Sequence, residues 1–146
     1  MIYTFPGSIN ASVILDSSGN LYGTSPFAGT TGIVYEIEAS GTIKMLYDFQ
    51  PAQGGYDPSS GLALGSGGNL YGTAAGGGEA NAGAVYTLSP AGRETVLYTF
   101  KGGSTDGANP GANVLLDQAG NLYGVTLRGG THNQGVVYKL TPVASA

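Results

Sequence analysis

Cysteine is absent from the chain, which removes disulfides and thiolate metal sites although it selects no compartment. Basic residues are scarce. Three lysines and two arginines against nine acidic residues leave a net charge of −4, the opposite of the basic footprint that nucleic-acid binding needs. A single histidine, His132, brings one metal ligand per chain, short of the roughly three or four a zinc site takes. No apolar run approaches the ~18 residues of a membrane helix, and Met1 to Phe5 lacks the basic start and apolar core of a signal peptide. The expectation is a soluble chain that carries no address and has neither a nucleic-acid nor a membrane partner. What is abundant is glycine, 27 residues, with aromatics at 10% and charged residues also at only 10%. That balance fits neither a helical protein nor a solvated disordered one, and it favours short strands joined by many turns.

Those turns recur. Gly19 to Thr24 reads Gly-Asn-Leu-Tyr-Gly-Thr, the same words return at Gly68 to Thr73, and Gly120 to Gly124 repeats all but the last. The spacing is 49 residues from Asn20 to Asn69 and 52 from Asn69 to Asn121, so the chain holds three copies of a unit of about fifty residues. Each copy sits between apolar runs and reads as a hairpin turn, in which Asp and Ser initiate, Gly and Asn tolerate positive φ, and Leu-Tyr restarts a strand. Asp16 and Asp117 open two of these turns, and Gly65 replaces the Asp in the second. One carboxylate per turn falls well short of a calcium loop.

In chain order, Met1 to Phe5 reads as a strand of type d. Then come strands a, b, c and d of the first unit at Ser12 to Leu15, Leu21 to Thr24, Ile33 to Ile37 and Ile43 to Phe49. The second unit gives Gly61 to Leu64, Leu70 to Thr73, Ala84 to Leu88 and Thr95 to Phe100. The third gives Asn113 to Leu116, Leu122 to Thr126 and Val136 to Leu140. Nine of the ten tyrosines occupy three repeated positions, in strand b (Tyr22, Tyr71, Tyr123), strand c (Tyr35, Tyr86, Tyr138) and strand d (Tyr3, Tyr47, Tyr98). A stripe at fixed repeat spacing points to packing between units. Four short antiparallel strands per unit describe the blade of a β-propeller, favoured over a linear β-solenoid because every link within a unit is short. The expected architecture is all-β: a closing strand at residues 1–5, blade 1 at 6–49, blade 2 at 50–100 and blade 3 at 101–146, lacking its outer strand.

Asn-Leu-Tyr-Gly-Thr, a Gly-rich loop, Gly-x-Val-Tyr-x-Leu-(Thr/Ser)-Pro and Leu-Tyr-x-Phe together resemble the tandem repeats of the choice-of-anchor bacterial surface proteins called GloVer repeats. The match is best at Asn69 to Pro90 and Asn121 to Pro142, and weaker at Asn20 to Ile37, where Glu38 and Ala39 replace the (Thr/Ser)-Pro. The resemblance covers nearly the whole chain. It implies an extracellular or surface-exposed bacterial protein with a propeller-like fold, and it carries over no catalytic residue or cofactor. The larger relatives have a signal peptide, further repeats and a C-terminal anchor that this chain lacks, so its export route does not follow from the resemblance.

The a–b and c–d turns are tight, whereas the b–c and d–a connections are long and emerge on one side of an antiparallel meander. That loop face gathers the candidate ligand-binding residues Tyr56, Asp57, Glu79, Asn81, Asp106, Asn109, Arg128, His132 and Asn133, with Lys101 beside them. A glycoside hydrolase or lyase would need paired carboxylates drawn from Asp57, Glu79 and Asp106. No Gly-x-Ser-x-Gly elbow places a serine nucleophile, and Arg93 and Arg128 fall on opposite faces. Glycine-rich loops favour a non-enzyme, without catalytic residues, metal or cofactor, whose loop face binds a glycan or other surface polymer. The alternative is a self-assembling structural block. Three blades are too few to close a ring, so assembly is expected as a six-bladed homodimer in which each N-terminal strand completes the other chain's last blade. A nine-bladed homotrimer is the runner-up.

Overall fold

The computed structural model describes residues 3–5, 9, 11–26, 28–29, 31–50 and 55–141. Their secondary structure is twelve strands and one 3-10 turn at Ser66–Gly68, with no helix long and apolar enough to cross a membrane. The first repeat comprises β1 (Ile14–Leu15), β2 (Leu21–Ser25), β3 (Ile33–Ile37) and β4 (Ile43–Asp48). The second comprises β5 (Ala63–Leu64), β6 (Leu70–Ala74), β7 (Ala84–Leu88) and β8 (Glu94–Thr99). Both are antiparallel meanders in sequence order. The third repeat has β9 (Gly107–Pro110), β10 (Leu115–Leu116), β11 (Leu122–Gly129) and β12 (Val137–Leu140), with β9 pairing the far end of β11. The expected strands c of the first two repeats are met to the residue. The strands a shrink to two residues each, because only those two face partners in β2, β6 and β11.

Strand c shows why both faces of each sheet are apolar. In β3 the odd positions Ile33, Tyr35 and Ile37 turn to one side and Val34 to the other, and all four are buried. Period-two alternation with apolar residues on both faces describes a sheet packed between two neighbours. The cores accordingly lie between repeats. Ile14, Tyr22, Val34, Tyr47 and Phe49 of the first repeat close on Leu62, Leu70, Tyr86 and Leu88 of the second. The same positions of the second, Ala63, Tyr71, Val85, Tyr98 and Phe100, close on Val114, Leu122, Tyr138 and Leu140 of the third.

An aromatic relay joins each pair of repeats. Phe49 meets Tyr86 edge-on at 5.0 Å and Phe100 meets Tyr138 at 5.2 Å, each Phe braced by the Tyr two residues before it. The Tyr in turn lies across the glycine of Leu-Tyr-Gly on the neighbouring strand, since Gly23, Gly72 and Gly124 are the register partners of Tyr35, Tyr86 and Tyr138. A Cβ on Gly72 would stand 2.6 Å from the Tyr86 hydroxyl oxygen, so the motif glycine is the space the ring occupies. Burial pushes the Tyr138 phenol up to about 12 and that of Tyr86 further still.

Polar contacts set the curvature. Gly61 donates its backbone N–H to Asn113 Oδ1 at 2.8 Å, and Asn113 Nδ2 donates to Ser12 Oγ at 2.8 Å. These three residues hold one repeat position, so the first strands converge and the fourth strands lie outermost. At the periphery Tyr47 donates to Glu94 of the next repeat at 2.9 Å.

Tyr3 to Phe5 forms no strand within its own chain, and Met1 and Ile2 lie outside the described residues. Its side chains nonetheless hold the register of strand d. Tyr3 meets Phe5 at 4.9 Å and Phe5 meets Tyr35 at 4.5 Å, repeating the relay of the other two repeats. Strand pairing needs a neighbour that this chain does not place beside residues 3–5, whereas the ring contacts need only Tyr35.

Candidate functional site

The long connections are not free loops. Tyr56 and Gly76 exchange backbone hydrogen bonds at 3.2 and 3.1 Å, which ties the d–a segment to the end of strand b, and β9 against β11 does the same in the third repeat. The two ties are equivalent. Tyr56 aligns with Ala108 and Gly76 with Arg128 at a spacing of 52, so a large-small pair in one repeat becomes small-large in the next. Tyr56 lies directly over Gly76, where any Cβ would collide with its ring, and its hydroxyl donates to Asn81 Oδ1 at 2.6 Å. The ring is therefore fixed at both ends.

Four non-glycine residues adopt left-handed backbone among those described: Asp57 (φ 61°), Asn81 (50°), Asn109 (56°) and Asn133 (51°). Asp and Asn tolerate this region better than other side chains. Asp57 and Asn109 are repeat equivalents, each followed by a buried proline and each donating its N–H into the preceding repeat, to Thr31 O at 3.0 Å and Ala82 O at 2.7 Å. Asn81 and Asn133 are the other pair. Their Oδ1 atoms accept from Gly77 and Gly129 N–H at 3.0 and 2.9 Å, so each amide closes its own b–c loop.

Tyr56, Asp57, Asn81, Asn109 and Arg128 meet, with Lys101, around one open cleft of about 560 Å3 between the second and third repeats. Partial burial raises the Asp57 carboxyl above its ordinary value, because it removes some of the water that would solvate the charge. Neither Lys101 nor Arg128 forms an ion pair among the described residues, where the one such contact joins Lys44 and Glu38. The cleft thus presents one ring, one carboxylate, two cations and amide groups.

The remaining candidates go elsewhere. Asp106 accepts from Tyr98 Oη at 2.9 Å and from the N–H groups of Lys101 and Gly107, both at 2.7 Å, so its carboxylate organises the d–a segment. Glu79 is exposed on its loop and does not line this cleft. His132 lines a separate cleft of about 460 Å3 with Ser104, Thr105 and Gln134. Of the three carboxylates a hydrolase would draw on, only Asp57 reaches the larger cleft. No three His, Asp or Glu side chains converge among the described residues. On the turn side, Asp16 accepts from Ser18 and Asn20 N–H, Asn20 Nδ2 and Tyr22 Oη at 2.8–3.1 Å, and Asp117 repeats the pattern at 2.7–3.1 Å. Those carboxylates serve their own turns. Gly76 escaped the sequence analysis, and the signal for it is the exchange of Tyr56-Gly76 for Ala108-Arg128 between aligned repeats.

Three four-stranded antiparallel sheets with cores between them and first strands converging define a β-propeller repeat protein whose long-loop face carries a cleft. The chain belongs to the Gloeobacter/Verrucomicrobia repeat family, which it matches over residues 3–146. No curated protein matches it. A solved structure described as a gluconolactonase is similar at 20% identity and a TM-score of 0.49, over 89% of this chain and 47% of that one. The chain therefore spans about half the length of that structure.

Proposed function

We propose that this propeller module is a non-catalytic binding protein that takes an acidic glycan in the cleft between its second and third repeats, outside the cell or at its surface. The observation that carries the binding role is the Tyr56 ring, locked by Gly76 and Asn81, in one cleft with Lys101 and Arg128, which form no ion pair among the described residues. A fixed ring packs against the C–H face of a sugar with little loss of side-chain freedom. Asp57 and Asn109 suit sugar hydroxyls, and Lys101 with Arg128 suits a sugar carboxylate, where the planar guanidinium forms paired hydrogen bonds. The surface location rests on the likeness of these repeats to those of bacterial surface proteins.

A glycan array followed by titration tests the assignment. Uronate-containing oligosaccharides bind in preference to neutral ones, and Arg128→Ala weakens them about 10- to 100-fold, the loss of a charged hydrogen bond worth ~1.5–3 kcal/mol. Retention of all glycan binding by Arg128→Ala and Tyr56→Ala overturns it, as does an array on which nothing binds. A purely structural building block is the second reading, favoured by the apolar side chains left bare on the third repeat.

A further inference from the structure

One repeat position shows what the third repeat is missing. Val34 and Val85 are 0% exposed because the following repeat covers them, whereas Val137, their equivalent, is 82% exposed. Its neighbours on that face, Leu115 and Val125, are exposed as well. The first repeat has the converse deficiency. Ile33, Tyr35 and Ile37 form the half of a core that a preceding repeat would cover, and the contribution from ahead of them is Phe5, braced by Tyr3. In both complete cores the covering half consists of side chains from strands a, b and c together with a Tyr-x-Phe from strand d. The bare face of the third repeat holds the strand a, b and c portion, and Tyr3-x-Phe5 is the strand d portion. Each incomplete half lacks what the other has.

We propose that the uncovered face of the third repeat docks the first repeat of a second copy of this chain, whose Tyr3 to Phe5 lies along β12 as an outer strand. The register follows from the other repeats. Val34 faces Tyr47 and Val85 faces Tyr98, so Val137 faces Tyr3 of the second copy. Docking also places Phe5 and Tyr35 under the same cover that Phe49 and Tyr86 already have. The relation is reciprocal, so two copies of these three repeats make a six-bladed ring in which the bare face of each third repeat and the outer edge of each β12 are covered.

Sedimentation of the 146-residue chain at tens of micromolar tests this. A particle of twice the chain mass is expected. Val137→Glu, at a side chain exposed in the single chain, leaves the far-ultraviolet spectrum unchanged and halves the mass. Ala91→Glu, on an exposed c–d turn away from the interface, stays at twice the mass. A monomeric wild-type chain overturns the proposal, and so does a Val137→Glu chain as dimeric as the wild type. A particle of three times the chain mass overturns the six-bladed count.

Discussion

The repeated words of this chain are explained atom by atom by two devices. The glycine of Asn-Leu-Tyr-Gly is the floor on which a strand c tyrosine lies, and the aspartate that opens two of the turns takes four hydrogen bonds from the residues it precedes. The second device is pH-dependent. The side-chain amide of Asn121, aided by backbone N–H groups and Tyr123, holds the Asp117 carboxyl below its ordinary value of 3.8, and the backbone N–H of Asn20 leads the same effect at Asp16. Because the folded-state value is the lower one, the stability these groups contribute is fully present above about pH 4 and is lost as pH falls below that toward and through the lowered folded-state value. Asp117→Asn should therefore lower Tm at pH 7, and the deficit should narrow by pH 3. Thermal melts at the two pH values check it; a deficit that stays constant would assign the role of Asp117 to packing.

At the scale of elements, much was legible in the sequence because repetition removes ambiguity. A single Ile-Val-Tyr-Glu-Ile run could be many things, but three such runs, each following a Gly-rich loop, fix a strand and its neighbours together. The edges of strands a were less legible, since their pairing partners are few. The candidate cleft was half legible. Equal placement of the b–c and d–a connections on one face follows from the meander, and five of nine candidate residues do share a cleft. Asn133 and Asp106 were drawn to the same list by residue type, yet they do not line that cleft, and their side chains accept hydrogen bonds that close local loops, which no spacing reveals. The d–a segments read as loops, and their short pairings with the ends of strands b, seen at Tyr56–Gly76 and β9–β11, carry no hydrophobic alternation to announce them. The relay itself is testable. Phe100→Ala, which empties a fully formed core, should cost about 3–5 kcal/mol by chemical denaturation. Phe5→Ala in a monomeric background such as Val137→Glu should cost clearly less, because one side of Phe5 is uncovered there. Equal losses would contradict the placement of the cores between repeats.

At the scale of the whole molecule, a protein whose cores lie between repeats is complete only when every repeat has a neighbour on both sides. The second repeat contributes to a finished core on both of its sides and the first and third on one side each, and under the proposed docking their two remaining faces would form a third. The candidate cleft lies between the second and third repeats and is formed within one chain, so assembly would present it twice on one ring without altering its lining. The absence of cysteine gives a clean background for the most direct test. A chain carrying Tyr3→Cys is mixed with a chain carrying Val137→Cys under mild oxidation, and the products are separated by mass. Cysteines facing one another across paired strands fall within disulfide reach. The account predicts a disulfide-linked pair containing one copy of each variant, formed rapidly and suppressed when Val125→Glu is added to the Val137→Cys chain. Only unlinked monomers, or like-with-like pairs formed as readily as mixed ones, would contradict it.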